Sequence, residues 1–448
     1  MRIQLSDHFT YGRLIRFTLP SIVMMIFTSV YSVVDGFFVS NFAGKTPFAA
    51  VNLIMPVLII LGAVGFMFGT GGTALVAKTY GEGDAERANR YFSLLVYVAF
   101  GLGVLLAAAG ILLMRPIAQA MQAEGELLAD SVLYARIILA ALPFYILQIM
   151  FQSFAVAAEK PHLGLITTVI SGLTNMILDA VLVILLPPEW KLAGAAIATA
   201  AAQTVGGVIP LFYFFRPNNS ILRLGRTSFD GKAIWRACTN GSSEFMSNIA
   251  MSLVGILYNL QLMRYAGENG LSAYGVMMYV SMIFSAIFIG FSIGSAPIIG
   301  YHDGAQNHAE LKGLLQKSLL IIGVSGAVMV IMAELLAAPL SHIFVGYDAA
   351  LCDMTVSGFR IFALSFLFMG YAIFISSFFT ALNDGLTSAL ISFLRTLVFQ
   401  CAAILLLPQI FELDGVWISV VVAELMAFLL GLVFLFLKRN KYHYGRGE

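Results

Sequence analysis

Residues 163–187 read LGLITTVISGLTNMILDAVLVILLP, a run whose single ionisable side chain is Asp179. A bilayer core of about 30 Å takes roughly 20 apolar residues as a helix. This stretch is therefore a membrane span that carries one carboxylate. The same pattern recurs on both sides of it. Apolar runs between polar breaks predict twelve spanning helices: 14–39, 50–77, 91–114, 131–157, 163–187, 193–215, 237–263, 272–299, 315–338, 356–380, 386–407 and 415–437. The fold class is all-α integral membrane, with lipid as the main solvent: 60% of the chain is hydrophobic and 11% charged, where soluble domains carry about 25% charged residues. The first fourteen residues do not look like a cleavable signal peptide, so the first apolar run is expected to span.

Charge orients the helices. Of the 25 Lys and Arg, 18 lie on the side that holds both termini. Four (Lys45, Arg115, Lys191, Arg264) lie opposite, and three (Arg136, Arg360, Arg395) fall within helices. The positive-inside rule then places both termini in the cytoplasm of a multi-pass protein of the inner (plasma) membrane. A net charge of +1 gives no pull toward nucleic acid. Cys238, Cys352 and Cys401 form neither a disulfide framework nor a metal site, and the six histidines sit in or near loops and tails. No GxxxxGK[ST] motif is present, which argues against ATP hydrolysis. No cofactor and no metal are expected.

The chain repeats itself. At an offset of 223, Ala43-Gly44 matches Ala266-Gly267, and Ala50, Met55, Phe68, Gly71 and Gly81 match Ala273, Met278, Phe291, Gly294 and Gly304. Arg136-Ile137 matches Arg360-Ile361 at 224; Ile170-Ser171, Pro187 and Gly194 match Ile391-Ser392, Pro408 and Gly415 at 221. Six helices per half is an even number, so both halves enter the membrane in the same direction, as in parallel-repeat transporters. The predicted organisation is an N-lobe over 1–215, a basic cytoplasmic linker over 216–236 and a C-lobe over 237–448.

An ionisable group at the centre of a spanning helix costs at least ~2.5 kcal/mol and needs a reason to be there. Asp35 lies six residues before Asn41, Asp179 eight before Pro187, and Thr199 six past Ala193. At 1.5 Å per residue all three sit roughly 9–12 Å below the outer end. Tyr31 and Asn175 each stand one turn before their aspartate, and Tyr134 enters at the outer end of helix 4. This cluster is able to hold a proton, titrating as a unit, or to ligate Na⁺ through Asp35, Asn175, Asp179 and Thr199. The bland alternative is a hydrogen-bonded structural cluster, a costly way to hold helices together. The repeat does not copy it: Tyr258, Gln400 and Val420 stand opposite Asp35, Asp179 and Thr199.

Other polar groups are candidates for the cargo. Glu244, two turns into helix 7, would attract a cation or snorkel to water. Gln148 and Gln152 share a face of helix 4. Met55, Met277 and Met278 fall in the paired helices 2 and 8, where methionine gives an adaptable lining. Gln148, Gln152, Met55, Glu244, Tyr258 and Met277 make up the candidate substrate contacts. Glu424 is placed to pair with Arg395. Arg136 and Arg360, as repeat partners, are expected to bind carbonyls or headgroups.

The local stretches YSVVDGFFVSNFAG (31–44), YGEGDAERANRY (80–91), NMILDAVLV (175–183) and LAGAAIATAAAQ (192–203), with twelve helices in two lobes, resemble the multidrug and toxic compound extrusion (MATE) family. The likeness is greatest to its bacterial MepA-like and DinF-like branch. The resemblance implies a V-shaped pair of lobes in alternating access. It also implies export of cationic or amphipathic drugs and dyes against H⁺ or Na⁺, with a first-lobe cation site at Asp35, Asn175, Asp179 and Thr199 and with Tyr31 and Tyr134 nearby. Glu244 resembles a second-lobe acid of some members, whereas their helix 10 acid is absent from LSFLFMGYAIF (364–374). The chain is expected to act as a monomer. Competing readings are a lipid-linked precursor flippase, which would line its cavity with more arginines, an intramembrane enzyme, which would need clustered His, Asp or Ser, and a passive channel or receptor.

Overall fold

A computed structural model of the chain describes residues 3–38, 45–346 and 348–445. The outer landmarks Asn41 and Ala43-Gly44 lie outside the described residues. Among these residues every regular element is helical. The helices are α1 (Tyr11–Phe38), α2 (45–81), α3 (Ala85–Ala120), α4 (Gly125–Ala140 and Leu142–Ala157), α5 (Pro161–Leu185) and α6 (Lys191–Phe215) in the first half. The second half has α7 (231–266), α8 (268–304), α9 (His308–Val345), α10 (Ala349–Ala363 and Phe366–Ala381), α11 (Gly385–Leu406) and α12 (Pro408–Lys438).

The breaks have local causes. α4 bends by 55° at Ala141, where Pro143 opens the second segment and cannot donate to the turn before it. Its repeat partner α10 bends by 44° at the matching place. α7 and α8 form one continuous run of 74 residues, about 110 Å at 1.5 Å per residue against a bilayer core of about 30 Å. Two spans are required, and the chain turns between them at Gly267, whose φ of 59° suits a residue without Cβ. With that division the described residues hold the twelve spans that hydropathy predicts. The Asp230 carboxylate accepts from Lys232 N and Ala233 N, so α7 begins inside the stretch read from sequence as linker. Apolar side chains such as Leu112 and Ile343, each 75% exposed, face outward, as a lipid-solvated bundle requires.

Two apolar cores follow the repeat. One runs from Val51 to Ala237, the other from Val254 to Tyr444. The second also takes in Leu5, Phe9, Leu14 and Phe17, so the segment leading into α1 packs against the far half. The halves cross at close-packed glycines. A Cβ on Gly81 would collide with Tyr301 O, and one on Gly304 would collide with Lys78 O. These pairs exchange under the 223-residue offset, so the contact is a pseudo-twofold one. Gly71 meets Ala237 O and Gly241 meets Met67 O in the same manner.

The end that carries both termini is firmly closed. Lys78 Nζ lies 2.8 Å from Asp303 Oδ2 across the halves. Leu5 N donates to Glu159 Oε1 at 2.9 Å, and Phe9 N donates to Glu310 Oε1 at 2.8 Å. The C-terminal tail is tied there too, with Tyr442 Oη donating to Asp384 Oδ2 at 2.8 Å.

Candidate functional site

Four helices of the first lobe converge on the carboxylates. Gly172 of α5 makes the approach possible: a Cβ there would fall 2.5 Å from the Phe27 ring and 3.0 Å from that of Tyr31. α1 therefore lies directly against α5 and brings Asp35 to Asp179, close enough for one carboxyl to hydrogen-bond the other. Thr199 of α6 donates Oγ1 to Asp35 Oδ1 at 3.5 Å and accepts from Asn175 Nδ2 at 3.4 Å. Tyr134 of α4 reaches Thr199, and Tyr31 stands beside Asp35 and Tyr145. All six residues of the predicted cation cluster are thus neighbours.

The cluster is rich in acceptors. Asp179 is fully buried and Asn175 is 2% exposed. Both Asp179 carboxylate oxygens and Asn175 Oδ1 lack a hydrogen-bond partner among the described residues, an arrangement that costs free energy unless something supplies positive charge or a donor. A proton shared by the two carboxyls converts facing acceptors into a donor–acceptor pair. A small hard cation satisfies the same oxygens directly.

The matching place in the second lobe is filled differently. Tyr258 Oη donates to Gln400 Oε1 at 2.8 Å, so the repeat partners of Asp35 and Asp179 also face each other. Tyr258 stacks on Tyr274 at 5.5 Å, and Tyr274 stacks on Trp417 at 6.5 Å. This pair is neutral and internally satisfied. Deeper in the lobe, Arg395 Nε lies 2.8 Å from Glu424 Oε2 and Arg395 Nη2 3.0 Å from Oε1, the pairing for which sequence had placed them. Arg395 sits in a π-helical segment, Leu394–Phe399, and Glu244 of α7 stands within its coulombic reach.

The six candidate cargo residues do not meet at one place. Gln148 Nε2 donates to Ser171 Oγ at 3.1 Å and Gln152 Nε2 to Thr168 Oγ1 at 3.3 Å. Both border a void of about 10 Å³, room for a single water at most. Their amides tie α4 to α5. Met277 is fully buried and Tyr258 is 2% exposed; both belong to second-lobe packing. Met55 and Glu244 remain part-exposed. A larger groove of about 720 Å³ runs between α4 and α6 past Leu133, Arg136 and Thr204 and includes none of the six. Arg136 Nε donates to Ile111 O at 3.2 Å and Arg360 Nε lies 3.5 Å from Glu334. Each of these repeat partners therefore reaches back to the helix before its own. Sequence reasoning missed the closing contacts of Glu159, Glu310 and Asp384. Each lies next to a helix start, and their spacing carried no signal of a partner.

The MatE family description matches residues 20–181 and 245–404, one segment in each half. The chain belongs to the MatE family. It is accordingly a membrane transporter and not an enzyme. Among curated proteins, it is 23% identical over 436 residues to the multidrug export protein MepA of Staphylococcus saprophyticus subsp. saprophyticus, covering 97% of this chain and 95% of that one. To the MepA of Staphylococcus haemolyticus it is 24% identical over 432 residues, with 96% and 94% covered. Among solved structures, a MATE in complex with MaL6 superposes with a TM-score of 0.91 at 20% identity, with 97% and 98% covered. A MOP superfamily transporter from Pyrococcus furiosus gives 0.89 at 20%, with 97% of each chain covered. The two-lobed, twelve-helix architecture is that of this MatE fold.

Proposed function

We propose that this MatE-family chain is a multidrug efflux antiporter. It exports cationic or amphipathic small organic molecules in exchange for H⁺, or Na⁺ at the same oxygens, by alternating access. The observation that carries the reading is the facing pair Asp35 and Asp179 with the unpartnered oxygens of Asp179 and Asn175. A buried acceptor cluster of this kind changes its hydrogen bonding when a cation arrives or leaves. α1 is the natural transmitter, since it bears Asp35 at one end and its other end packs into the second lobe.

The lobes 1–215 and 237–448 would move as bodies about the glycine crossings, with 216–236 linking them. Cation binding from outside would reshape the first lobe and release the cargo. The loaded chain would then open its terminus-bearing end, lose the cation to the cytoplasm, and close again around new cargo. Both termini would face the cytoplasm of the plasma membrane, and a single chain would suffice. Glu244 and Met55, the part-exposed candidates, are assigned to cargo contact. Gln148 and Gln152 are assigned to packing within the first lobe, and Tyr258 and Met277 to packing within the second.

The test is efflux of ethidium from vesicles holding the purified chain, under proton and sodium gradients imposed separately. A response to the proton gradient alone, lost in Asp35→Asn, is the expected result. A response to sodium alone reassigns the ion. Efflux that ignores both gradients sinks the coupling role.

A further inference from the structure

The second lobe holds three ionisable side chains that the coupling site does not use. Arg395 is clamped to Glu424 by two parallel hydrogen bonds of 2.8 and 3.0 Å, and the side chains are 17% and 4% exposed. α7 runs along α11 from the close approach of Gly385 to Asn240 up to the Tyr258–Gln400 hydrogen bond, so Glu244 of α7 lies beside the helix that bears that guanidinium, with part of its surface open. The two-pronged geometry commits the guanidinium to Glu424 and leaves Glu244 without a direct cationic partner of its own.

Scaffolding does not account for the clamp. At the 221-residue offset the first lobe has Thr174 and Gln203 where the second has Arg395 and Glu424, and that lobe packs its six helices without an ion pair there. Buried ion pairs are also poor stabilisers compared with apolar packing of similar volume. Arg395 stands, moreover, in a π-helical segment, a distortion that concentrates at functional sites.

We propose that Glu424 is a specificity-determining positioning residue. By holding Arg395 it keeps the guanidinium off Glu244 and leaves that carboxylate free to receive the positive charge of an organic cation. Arg395 in turn sets how strongly Glu244 attracts, and so separates cationic from zwitterionic or neutral amphiphiles of the same shape. This rests on the assignment of Glu244 to cargo contact.

Two dyes of similar shape test it: rhodamine 6G, a cation, and rhodamine B, a zwitterion at neutral pH. Binding to the purified full chain is read by fluorescence anisotropy. In Glu424→Gln the freed guanidinium neutralises Glu244, and rhodamine 6G weakens about tenfold relative to rhodamine B, the worth of one ~1.4 kcal/mol contact. In Arg395→Gln the ratio moves the other way, with rhodamine 6G severalfold tighter. A structural clamp would shift both dyes together in both variants, so an unmoved ratio, or shifts of the same sign, overturns the proposal. If Glu424→Gln does not fold, Arg395→Gln decides alone, and an unchanged ratio there is fatal. Failure of the wild type to bind rhodamine 6G overturns the cationic-cargo assignment itself, whereas wild-type binding with an unmoved ratio overturns the clamp alone.

Discussion

Asp35 and Asp179 in the first lobe, and Tyr258 and Gln400 in the second, occupy matching places in the repeat. In both lobes the two side chains face each other. The backbone plan is shared, so the difference lies in what each pair does without help. Tyr258 supplies a hydroxyl to the Gln400 carbonyl and the pair is complete. Two carboxylates are both acceptors, and Asp179 is left with no donor. One lobe is thus finished by folding alone, and the other keeps buried acceptors without a donor, the difference on which the proposed antiport rests.

The largest expected effect comes from removing the difference. Asp179→Asn gives the first lobe a donor of its own. Ethidium efflux under a proton gradient should fall to the level of vesicles without protein, while the chain still folds, as judged by its melting temperature. Retained efflux would break the comparison.

A second variant probes the joint the lobes share. Gly304→Val puts a side chain against Lys78 O at the pseudo-twofold crossing. Overpacking of that kind costs about 1–3 kcal/mol. The melting temperature should drop and efflux should slow sharply, since the end closed by Lys78 and Asp303 no longer closes. Wild-type melting would show that the crossing is loose.

Tyr258→Phe tests the finished lobe. Loss of its hydrogen bond to Gln400 should cost about 1 kcal/mol, seen as a small drop in melting temperature with ion coupling unchanged. A change in ion dependence would mean that the second lobe takes part in coupling.

The smallest effect concerns the corners at the terminus-bearing end, where Lys160 directly precedes α5 in the first half and Asp384 directly precedes α11 in the second. Burial pushes the Asp384 carboxyl up, but hydrogen bonds from Tyr442 and Thr387 and the ammonium groups of Lys438 and Lys441 outweigh it and hold it at about 2. A lowered carboxyl favours the folded tail above the ordinary value near 3.9 and loses that contribution as pH falls through about 2. Tryptic cleavage after Lys438 and Lys441, divided by cleavage of an unstructured reference peptide at the same pH, should therefore be the same at pH 6 and pH 8, and higher in Asp384→Asn at both. A higher ratio at pH 6 in the wild type would contradict the tie.

The site was legible in part. Asp35, Asp179 and Thr199 could be brought to one depth from helix direction and rise per residue, and Asn175, Tyr31 and Tyr134 followed as their neighbours. The cargo residues were not legible in the same way. Gln148 and Gln152 share a helix face, but nothing along the chain says whether that face meets a cavity or a neighbour. Ser171 and Thr168 of α5 supply the answer. The Arg395–Glu424 pair lay between these cases, since two opposite charges at mid-membrane have few partners to choose from.

What the sequence determined alone is everything that depends on distance along the chain. That includes twelve apolar runs long enough to span, the two-fold repeat, the side on which Lys and Arg collect, and the depth of each polar group. Hydropathy and rise per residue are local, so they can be read in one dimension. Only the tertiary structure decided which side chains meet. Asp35 and Thr199 are 164 residues apart, Tyr258 and Gln400 are 142 apart, and Leu5 and Glu159 are 154 apart. Such contacts depend on the rotation of each helix about its axis and on how closely glycines let neighbours approach, and both are set by packing across the whole bundle.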